Sequence, residues 1–348
     1  MFDMDVRDVD EEELTVVRRA VRRFPARIAA IDLGSSSFHL VIAEVTEVAG
    51  EHRFHVIARE KERVCLGDSV FRSGQIDEES FARGIAALRR LREVAADHAP
   101  ERFLVVATSA IREAANGRTF VRSVQRCTGL PVRVIDGLEE ARLVCLGARR
   151  EIVDPSARIA LFDFGGGSTE VLVADGRGCA LTASLPIGSL RLRQQWRCSE
   201  LPTADELATL RASVRTAFEP TLAHVARLGF DRVVLACGAA RSLWRLRAAE
   251  PGGRGDASAL LDRELSLSAL LQLSRRLGAL SPDDQRAVLG PEAGAPHSLL
   301  IGSIVLGGLL ERLGAEQAFV AAGGLREGLI ADDLAHNPLH AAIGIQRS

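Results

Sequence analysis

The chain has 348 residues and a formal net charge of −2, with 47% hydrophobic and 26% charged residues. This length is enough for two domains, and the composition is ordinary for a soluble globular protein. A net charge near zero excludes a general attraction to polyanions such as nucleic acids, so an anionic ligand must be drawn by a local cleft lined with arginine. Of the 44 basic residues, only Lys61 is a lysine.

Cysteine usage and hydropathy indicate the cellular compartment in which the protein is expected. The six cysteines form no Cys-x-x-Cys pair, which favours reduced thiols in a cytoplasmic protein over a disulfide framework or a zinc site. The acidic N-terminus lacks the features of a secretory signal. The longest apolar run, 298–310, is too short to span a bilayer. We therefore expect a buried helix there and no membrane partner.

The predicted elements begin after an N-terminal arm. Residues 1–26 show neither a strand nor a core pattern, and the sequence leaves open whether this arm is only solvated or contacts a partner or an anionic ligand. A regular pattern starts at Arg27. Apolar alternation and helical spacing then predict the order β-β-β-α-β-α-β-α. The segments are RIAAID, FHLVIAEV, HRFHVIAREKERVCL, 77–98, FLVVATSA, REAANGRTFVRSVQRCTG, PVRVID and LEEARLVCLGARR.

A similar series begins at Arg158. Three strands are followed by a helix, a strand and a helix, then by further helices, and finally by a strand and a helix. Apart from those further helices, the segments are RIALFDF, STEVLVAD, CALTASLPI, 203–227, RVVLACG, AARSLWRLRAA, QAFVAAGG and LREGLIADDLA.

A duplication relates the two series. An offset of 131 positions separates Asp32 from Asp163, Gly34 from Gly165, and Ser37 from Ser168. A second offset, of 85 positions, separates Gly238 from Gly323 and Arg241 from Arg326. Such repeats indicate two similar α/β domains that face each other across a cleft. We assign 27–136, with a returning helix at about 325–336, to the first domain, and 137–324 to the second.

Each repeat contains an Asp-x-Gly turn between two strands. Glycine lets the backbone approach closely and expose successive N–H groups, which bind phosphate oxygens. The second turn, DFGGGSTE at 163–170, adds two hydroxyls but lacks the lysine of a P-loop. Because Asp32 and Asp163 stand at strand ends beside these turns, we expect them to hold Mg²⁺, mostly through water.

Six segments resemble, in order, the signatures of one enzyme family: IDLGSSSFHL, ATSAIREAANG, IDGLEEARLVCLG, DFGGGSTEV, LPIGSLRL and GGLREGLI. This is the exopolyphosphatase/guanosine pentaphosphate phosphohydrolase (Ppx/GppA) family, and the resemblance covers about residues 27–335. It implies two ribonuclease-H-like domains of the actin, Hsp70 and sugar kinase (ASKHA) superfamily, with an interdomain cleft. It also implies Mg²⁺-dependent release of the terminal phosphate of inorganic polyphosphate or of the 5′ γ-phosphate of pppGpp.

The resemblance implies roles for individual residues. Glu140, the second glutamate of GLEEAR, corresponds to the catalytic base, and Glu139 is the less favoured candidate. Asp163 and Glu170 correspond to catalytic acids that bind the metal and water, and Asp32 to a further metal-binding acid. The positions that correspond to phosphate-binding residues are Gly34, Ser35, Arg112, Gly165, Gly166, Gly167, Ser168 and Thr169.

A purely structural role is also open to each charged residue of these motifs. Glu139 and Glu140 open a helix, where acids also interact with the helix dipole. Arg112 could occupy an exposed position on a helix. Arg191 and Arg193 could form ion pairs across the domain contact, and Arg241 and Arg326 could cap helices. His39 could be a core residue.

The chain departs from the family pattern at three places. Ser36 stands where the first turn of the family usually has asparagine, a change that bears on substrate preference. PEAGAP, at 291–296, stands in place of a Glu-Arg-Ala-Asp signature. Because the chain ends at residue 348, we expect the short, two-domain form of the family. A homodimer is left open.

The leading functional hypothesis is an Mg²⁺-dependent exopolyphosphatase, with pppGpp hydrolysis as the alternative within the family. An ATP-dependent kinase of the same superfamily would need an adenosine pocket and an acceptor site, and GLEEAR favours activation of water instead. A sensor that binds polyphosphate or a nucleotide without turnover stays open, because of the changes at Ser36 and at PEAGAP.

Overall fold

The computed structural model describes residues 26–48, 51–152, 154–196, 199–249, 263–290 and 297–337. Two features of the sequence lie outside these ranges: the N-terminal arm, apart from Ala26, and the PEAGAP segment.

The strands of the described ranges are β1 Ala26–Leu33, β2 Ser37–Val48, β3 Glu51–Arg63, β4 Arg102–Ala107, β5 Val132–Val134, β6 Ile159–Phe164, β7 Thr169–Asp175, β8 Gly178–Leu185, β9 Arg232–Leu235, β10 Glu264–Ser266 and β11 Gln317–Val320. The helices are α1 Leu66–Ser73, α2 Glu78–Asp97, α3 Ser109–Glu113, α4 Gly117–Thr128, α5 Gly137–Arg149, α6 Ser189–Trp196, α7 Ala204–Leu228, α8 Gly238–Ala248, α9 Leu267–Gly278, α10 Pro282–Leu289, α11 Ser298–Leu313 and α12 Leu325–His336.

The strands form two mixed sheets with the same core topology. The first has the order β3-β2-β1-β4-β5, and the second, read from its β8 edge, has the order β8-β7-β6-β9-β11-β10. In each sheet the first two strands of the repeat pair antiparallel and the next pairing is parallel. Asp32 lies opposite His39, and Asp163 lies opposite Glu170, so the offset of 131 positions holds in the register. The predicted duplication of ribonuclease-H-like domains is confirmed.

Helices and sheets alternate in five layers. The helices α1–α4 cover the outer face of the first sheet, and α7, α8, α9 and α11 cover the outer face of the second. Between the sheets lie α5 and α12, which pack against the inner faces of both. Alternate residues of a strand point to opposite faces. In β1, Ile28 and Ala30 belong to the inner core while Ile31 and Leu33 belong to the outer one. Asp32 therefore ends the inner face of β1.

The last helix returns to the first sheet. Residues of α12 pack against α5, β1 and β2, and ion pairs join Arg59 to Glu327 at 2.6 Å and Arg102 to Asp333 at 2.8 Å. Glycines let α5 and α12 approach closely: a Cβ added at Gly328 would overlap the carbonyl of Leu143. Because α5 lies between the sheets, it contacts elements of both halves.

Local predictions are wrong at three places. The third strand was expected to run to residue 66, but it ends at Arg63, because Cys65, with a positive φ of 55°, directly precedes α1. The strand expected at 103–110 ends at Ala107, and α3 begins at Ser109. The helix expected at 112–129 is divided into α3 and α4. At the break, the Asn116 side chain exchanges two hydrogen bonds with the backbone of Ile76, at 2.8 and 2.9 Å.

Three short elements, α1, α6 and β10, are absent from the pattern-based prediction. The apolar run at 298–310 forms the buried helix α11, as expected. None of the helices in the described part of the chain is both long and apolar enough to cross a membrane.

Candidate active site

The two Asp-x-Gly turns lie against each other. A Cβ added at Gly166 would meet Ser35 Cβ at 3.3 Å and Ser36 N at 3.3 Å, and one at Gly167 would lie 2.8 Å from Ser35 Oγ. Larger residues would therefore separate the turns. Within the second turn, the Gly165 amide donates to the Ser168 carbonyl at 2.9 Å. The structure thus brings the glycine and serine residues of both repeats to one place, between the ends of the two sheets.

Four carboxylates meet beside the turns. Asp32 and Asp163 are partly exposed, whereas Glu140 and Glu170 are buried. Burial raises the pKa of Asp32 to about 7, opposed by Arg326 and reinforced by Asp163. Burial likewise raises the pKa of Asp163 to about 6. The two aspartates therefore face one site, as the duplication predicts.

The two glutamates influence each other. Burial raises the pKa of Glu140 well above its usual value, and the charges of Glu170 and Asp32 raise it further. The pKa of Glu170 is also raised, first by burial and then by Asp163. Bringing four acids into a poorly solvated site leaves an excess of negative charge whenever they are ionised. A cation or a proton must offset that charge.

The start of α5 places Glu140 in this cluster. The side chain of Asp136 caps the helix by accepting from the Glu139 amide at 2.8 Å. Gly137 lies directly on Ser184 of β8, and the Ser184 hydroxyl donates to Glu170 Oε1 at 2.9 Å. The close contact at Gly137 therefore brings the first turn of α5 over β7 and β8, with Glu140 facing Glu170.

Glu139 and Glu140 have opposite environments. Glu139 Oε2 accepts from Arg142 at 2.8 Å and Oε1 accepts from Arg133 at 3.3 Å, near the surface. Those partners lower the pKa of Glu139, the hydrogen bond from Arg142 most strongly. Only Glu140 joins the carboxylate cluster. A helix-dipole role therefore describes Glu139 better than Glu140.

Arg112 lies in the site and is not an exposed helix residue. Its Nη1 donates to the Ile135 carbonyl at 2.8 Å and to Glu140 Oε2 at 3.2 Å. The first contact ties the guanidinium to the segment before α5, and the second partly offsets the charge of Glu140. These two hydrogen bonds hold Arg112 beside Glu140.

Two further arginines, Arg241 and Arg326, lie behind the aspartates. Arg241 Nη1 donates to the carbonyls of Ala236 and Ala321, at 2.8 and 3.2 Å, just after β9 and β11. Both arginines lower the pKa of Asp163. Helix capping alone is thus an incomplete account of them, because these cations also balance the carboxylates.

Arg191 and Arg193 of α6 pair with acids of the first half, as their structural interpretation predicts. Arg193 Nη2 contacts Asp68 Oδ1 at 2.5 Å, and Arg191 pairs with Glu113. Arg191 also donates from Nε to the Gly167 carbonyl at 2.6 Å. It therefore links the glycine turn to the first half of the molecule.

Sequence reasoning missed several residues that hold the site. Asp68 and Ser184 lie outside the quoted motifs, and Glu113 lies within ATSAIREAANG but had no predicted role. Asp68 and Glu113 contact α6, far along the chain, and Ser184 contacts Glu170 on the neighbouring strand. His39 occupies the position equivalent to Glu170 in the first repeat. Burial and nearby cations, Arg326 first among them, hold the pKa of His39 well below its usual value. The core interpretation of His39, as an uncharged side chain, is therefore favoured.

The donor set suits a hard cation. Asp32 Oδ1 is buried and has no hydrogen-bond partner among the described residues, and its neighbours are carboxylates. Across the described ranges, no three acidic, histidine or cysteine side chains are close enough to bind one ion by themselves. Mg²⁺ commonly takes one or two carboxylates and completes its shell with water and phosphate oxygens. The site therefore fits Mg²⁺ better than a metal held entirely by protein ligands.

Comparison with known proteins identifies the family of the chain. The sequence profile of the Ppx/GppA phosphatase family matches residues 41–337. The chain belongs to this family. A guanosine-5′-triphosphate,3′-diphosphate pyrophosphatase of Photobacterium profundum is 29% identical over 302 residues, which are 87% of this chain. The chain spans 58% of the length of that relative.

Solved structures show the same fold. An exopolyphosphatase from Cytophaga hutchinsonii superposes with a TM-score of 0.81 at 22% identity, over 89% of this chain and 98% of that one. The Ppx/GppA family member of Aquifex aeolicus gives a TM-score of 0.71 at 25% identity, over 90% of this chain and 99% of that one. Both similarities extend across the two sheets and the helices between them.

Proposed function

We propose that this Ppx/GppA family member is an Mg²⁺-dependent phosphohydrolase that releases the terminal phosphate of inorganic polyphosphate. The observation that carries this proposal is the position of Glu140. A buried carboxylate, held by the first turn of α5, lies with Glu170 and with Asp32, which stands at the end of β1 before the first glycine turn. A base in this position would stand beside the proposed phosphate cradle, as attack by water on a phosphoanhydride requires.

The turns would bind the terminal phosphate. Backbone N–H groups of Gly34, Ser35 and residues 166–168 offer donors without a positive side chain. Hydroxyls of Ser35 and Ser168 lie in the same turns, while the Thr169 hydroxyl donates to the Ile187 carbonyl at 2.6 Å. Thr169 therefore supports the turn, and the phosphate contacts fall to its neighbours.

Glu140 would accept the proton of the attacking water. A general base works best when its pKa lies near the working pH, and burial together with Glu170 and Asp32 moves the pKa of Glu140 upward. Arg112 opposes that shift through its charge and its hydrogen bond to Glu140. It is also the arginine best placed to contact an incoming phosphate, because its Nη1 already lies at the site.

Asp32, Asp163 and Glu170 would hold Mg²⁺ in part through bound water, and its role when bound is to offset phosphate charge and stabilise the transferring group. The unpartnered Asp32 Oδ1 and the raised pKa of Asp163 support this assignment. Ser184 orients Glu170 by its hydrogen bond. Arg241 and Arg326 favour the ionised form of Asp163, which is the form that binds a cation.

The second candidate substrate is pppGpp. The relative from Photobacterium profundum carries the name of a guanosine-5′-triphosphate,3′-diphosphate pyrophosphatase, which supports this alternative. Both substrates end in a phosphoanhydride, so the same turns and the same base would serve either one. Ser36, at the tip of the first turn, lies beside Gly166 of the proposed phosphate cradle.

A phosphate-release assay tests the proposal. Long-chain polyphosphate, pppGpp, ATP alone and ATP with glucose are compared with and without Mg²⁺. We expect Mg²⁺-dependent release from polyphosphate and little from ATP. Faster release from pppGpp than from polyphosphate would establish the alternative substrate. Saturable binding of polyphosphate without release would contradict hydrolysis and favour a sensor.

A further inference from the structure

A cavity of about 590 Å³ lies outside the active site, between α7, α9 and α11. These helices cover the outer face of the second sheet, whereas Asp163 ends the inner face of β6. The cavity is therefore separate from the glycine turns and the carboxylates. Its volume falls within the range of roughly 300–1,000 Å³ that small-molecule sites occupy.

Small residues on facing helices create the cavity. Ala208 and Ala212 lie one turn apart on α7, opposite Gly307 and Gly308 of α11. A Cβ added at Gly308 would meet only Val214 Cγ1, at 3.9 Å, so this glycine is not needed for close backbone packing. The rest of the wall is mainly apolar and consists of Val214, Phe218, Leu222, Leu271, Ile304 and Leu309.

Ser274 gives the cavity a polar atom without a partner. This residue of α9 lines the cavity and is only 3% exposed. Among the described residues, no group hydrogen-bonds to its Oγ. The hydroxyl of Ser303, also in the wall, is satisfied by the Leu300 carbonyl at 2.8 Å. Because a buried polar atom without a partner is unfavourable, Ser274 offers a hydrogen bond to a bound molecule.

The rim of the cavity is positively charged. Arg211, Arg215 and Arg312 line it together with the acid Glu311. Glu219 holds Arg312 through two hydrogen bonds, at 2.6 and 2.7 Å. Arg211 makes no ion pair within the described ranges and lies one turn from Arg215 on α7. Two exposed guanidinium groups beside an apolar cavity match a carboxylate attached to a hydrocarbon chain.

We propose that this cavity binds an amphipathic carboxylate of the fatty-acid type. The hydrocarbon chain occupies the apolar space, and the carboxylate pairs with Arg211 and Arg215 at the rim. Ser274 donates to a polar atom of the ligand or of its bound water. A nucleotide fits less well, because the aromatic ring of the wall, that of Phe218, is fully buried and offers no face for stacking.

Isothermal titration of the full chain with dodecanoate, below its critical micelle concentration, tests the proposal. We expect saturable binding of one molecule per chain, and weaker binding of dodecylamine and of dodecanol, which lack the negative charge. Equal affinity for the three probes would overturn the assignment of the arginines. Absence of saturable dodecanoate binding would overturn the proposal itself, including the case in which another part of the chain fills the cavity.

Variants locate the binding. The double change Arg211→Gln with Arg215→Gln should weaken dodecanoate binding by about tenfold or more, the effect of losing charge-assisted hydrogen bonds, and leave dodecanol unchanged. The control Arg275→Gln removes an exposed arginine of α9 that does not line the cavity. An equal loss in this control would show that the arginines act only through overall charge, and would overturn the proposal.

Two further variants probe the interior. Gly308→Leu should fill the cavity and abolish dodecanoate binding. The circular dichroism spectrum of this variant should equal that of the parent. Ser274→Ala should weaken dodecanoate binding about threefold or more, the effect of losing a neutral hydrogen bond. This variant also tests the interior of the cavity if Gly308→Leu does not fold. Parent affinity in Ser274→Ala and in a folded Gly308→Leu would place the ligand elsewhere.

Discussion

At the scale of single residues, the sharpest contrast is between the neighbours Glu139 and Glu140. Glutamine in place of Glu140 keeps its size but cannot take a proton, so Glu140→Gln should lower turnover by about 10²–10⁴-fold, the usual contribution of a general base. Polyphosphate binding should persist, because one acceptor and the shape remain. The measurements are phosphate release and equilibrium binding.

The matched control for this change is Glu139→Gln, which alters the adjacent residue outside the carboxylate cluster. It should retain nearly the parent rate. If Glu139→Gln were inactive while Glu140→Gln turned over at the parent rate, the general base would be Glu139 and the assignment to Glu140 would be wrong. If both variants were fully active, activation of water by either residue would be excluded.

Asp163 allows a second test at the residue scale. Asparagine removes the charge that the proposed metal needs, so Asp163→Asn should require at least several-fold more Mg²⁺ for half-maximal turnover, or be inactive. The circular dichroism spectrum should not change, because Asp163 stands at the end of its strand. Asp97→Asn, an exposed change on α2, serves as the control. An Mg²⁺ requirement equal to that of the parent would remove Asp163 from the metal site.

At the scale of elements, the crossing of α5 and α12 depends on glycine. A Cβ at Gly328 would overlap the Leu143 carbonyl, so Gly328→Ala should force the helices apart and lower the free energy of unfolding by about 1–3 kcal/mol, as overpacking does. Gly308→Ala, within α11, should be neutral or stabilising by up to about 1 kcal/mol, since alanine favours a helix. Urea unfolding measures both. If Gly328→Ala were as stable as Gly308→Ala, the close crossing of α5 and α12 would be contradicted.

Arg142 of α5 pairs both within its own helix and with α12, and the contribution of the pair within the helix, with Glu139, depends on pH. Arg142 contacts Glu139 of α5 and Asp332 of α12, each at 2.8 Å, and the pKa of Glu139 is lowered. The stability that Glu139 contributes is therefore present above its unfolded pKa of about 4.3 and lost as the pH falls through the lower folded value.

For Glu139→Gln we expect a loss of about 1 kcal/mol or less at pH 7, since the pair is partly exposed. The difference from the parent should shrink as the pH falls below the unfolded pKa of about 4.3 and vanish once Glu139 is protonated in the folded protein as well. Urea unfolding across this range measures it. A difference that stays constant with pH would show that the effect is not electrostatic.

At the scale of the whole molecule, α6 joins the halves. Arg193 and Asp68 are 125 positions apart and lie 2.5 Å from each other. A double-mutant cycle with Arg193→Gln and Asp68→Asn should give a coupling energy of about 0.5–1 kcal/mol at low salt, and a smaller one at 1 M salt because of screening. Urea unfolding of the four proteins measures it. A coupling energy of zero at low salt would show that the Arg193–Asp68 pair does not help to hold the two halves together.

Much of the architecture could be predicted from local patterns. Alternation of apolar residues identified nearly every strand of the two repeats, and the helix expected at 77–98 matches α2 with its capping residues Asp77 and His98. The equal offset of Asp32 and Asp163 predicted two matching turns. These signals are readable because strand period, helix period and turn chemistry each depend on residues close together in the chain.

Other features needed the fold. The strand expected to reach residue 66 ends early because Cys65 takes a left-handed conformation, and the break before α4 depends on Asn116 reaching the backbone of Ile76. Neither the conformation of Cys65 nor the contact of Asn116 produces a periodic pattern of apolar residues in the sequence. Ser184, Asp68 and Glu113 act through partners that are 14, 125 and 78 positions away, so no local pattern could assign them.

The sequence by itself determined the repeat, the glycine turns and the family, because these depend on residue type and spacing. It could name both Glu139 and Glu140 but, apart from the family resemblance, could not choose between them, since both begin the same helix. Only the tertiary structure decided that Glu140 faces Glu170 and Asp32 while Glu139 pairs with Arg142 near the surface. The reason is physical: the side of a helix that becomes buried depends on what packs against it, and here β7, β8 and α12 determine it together.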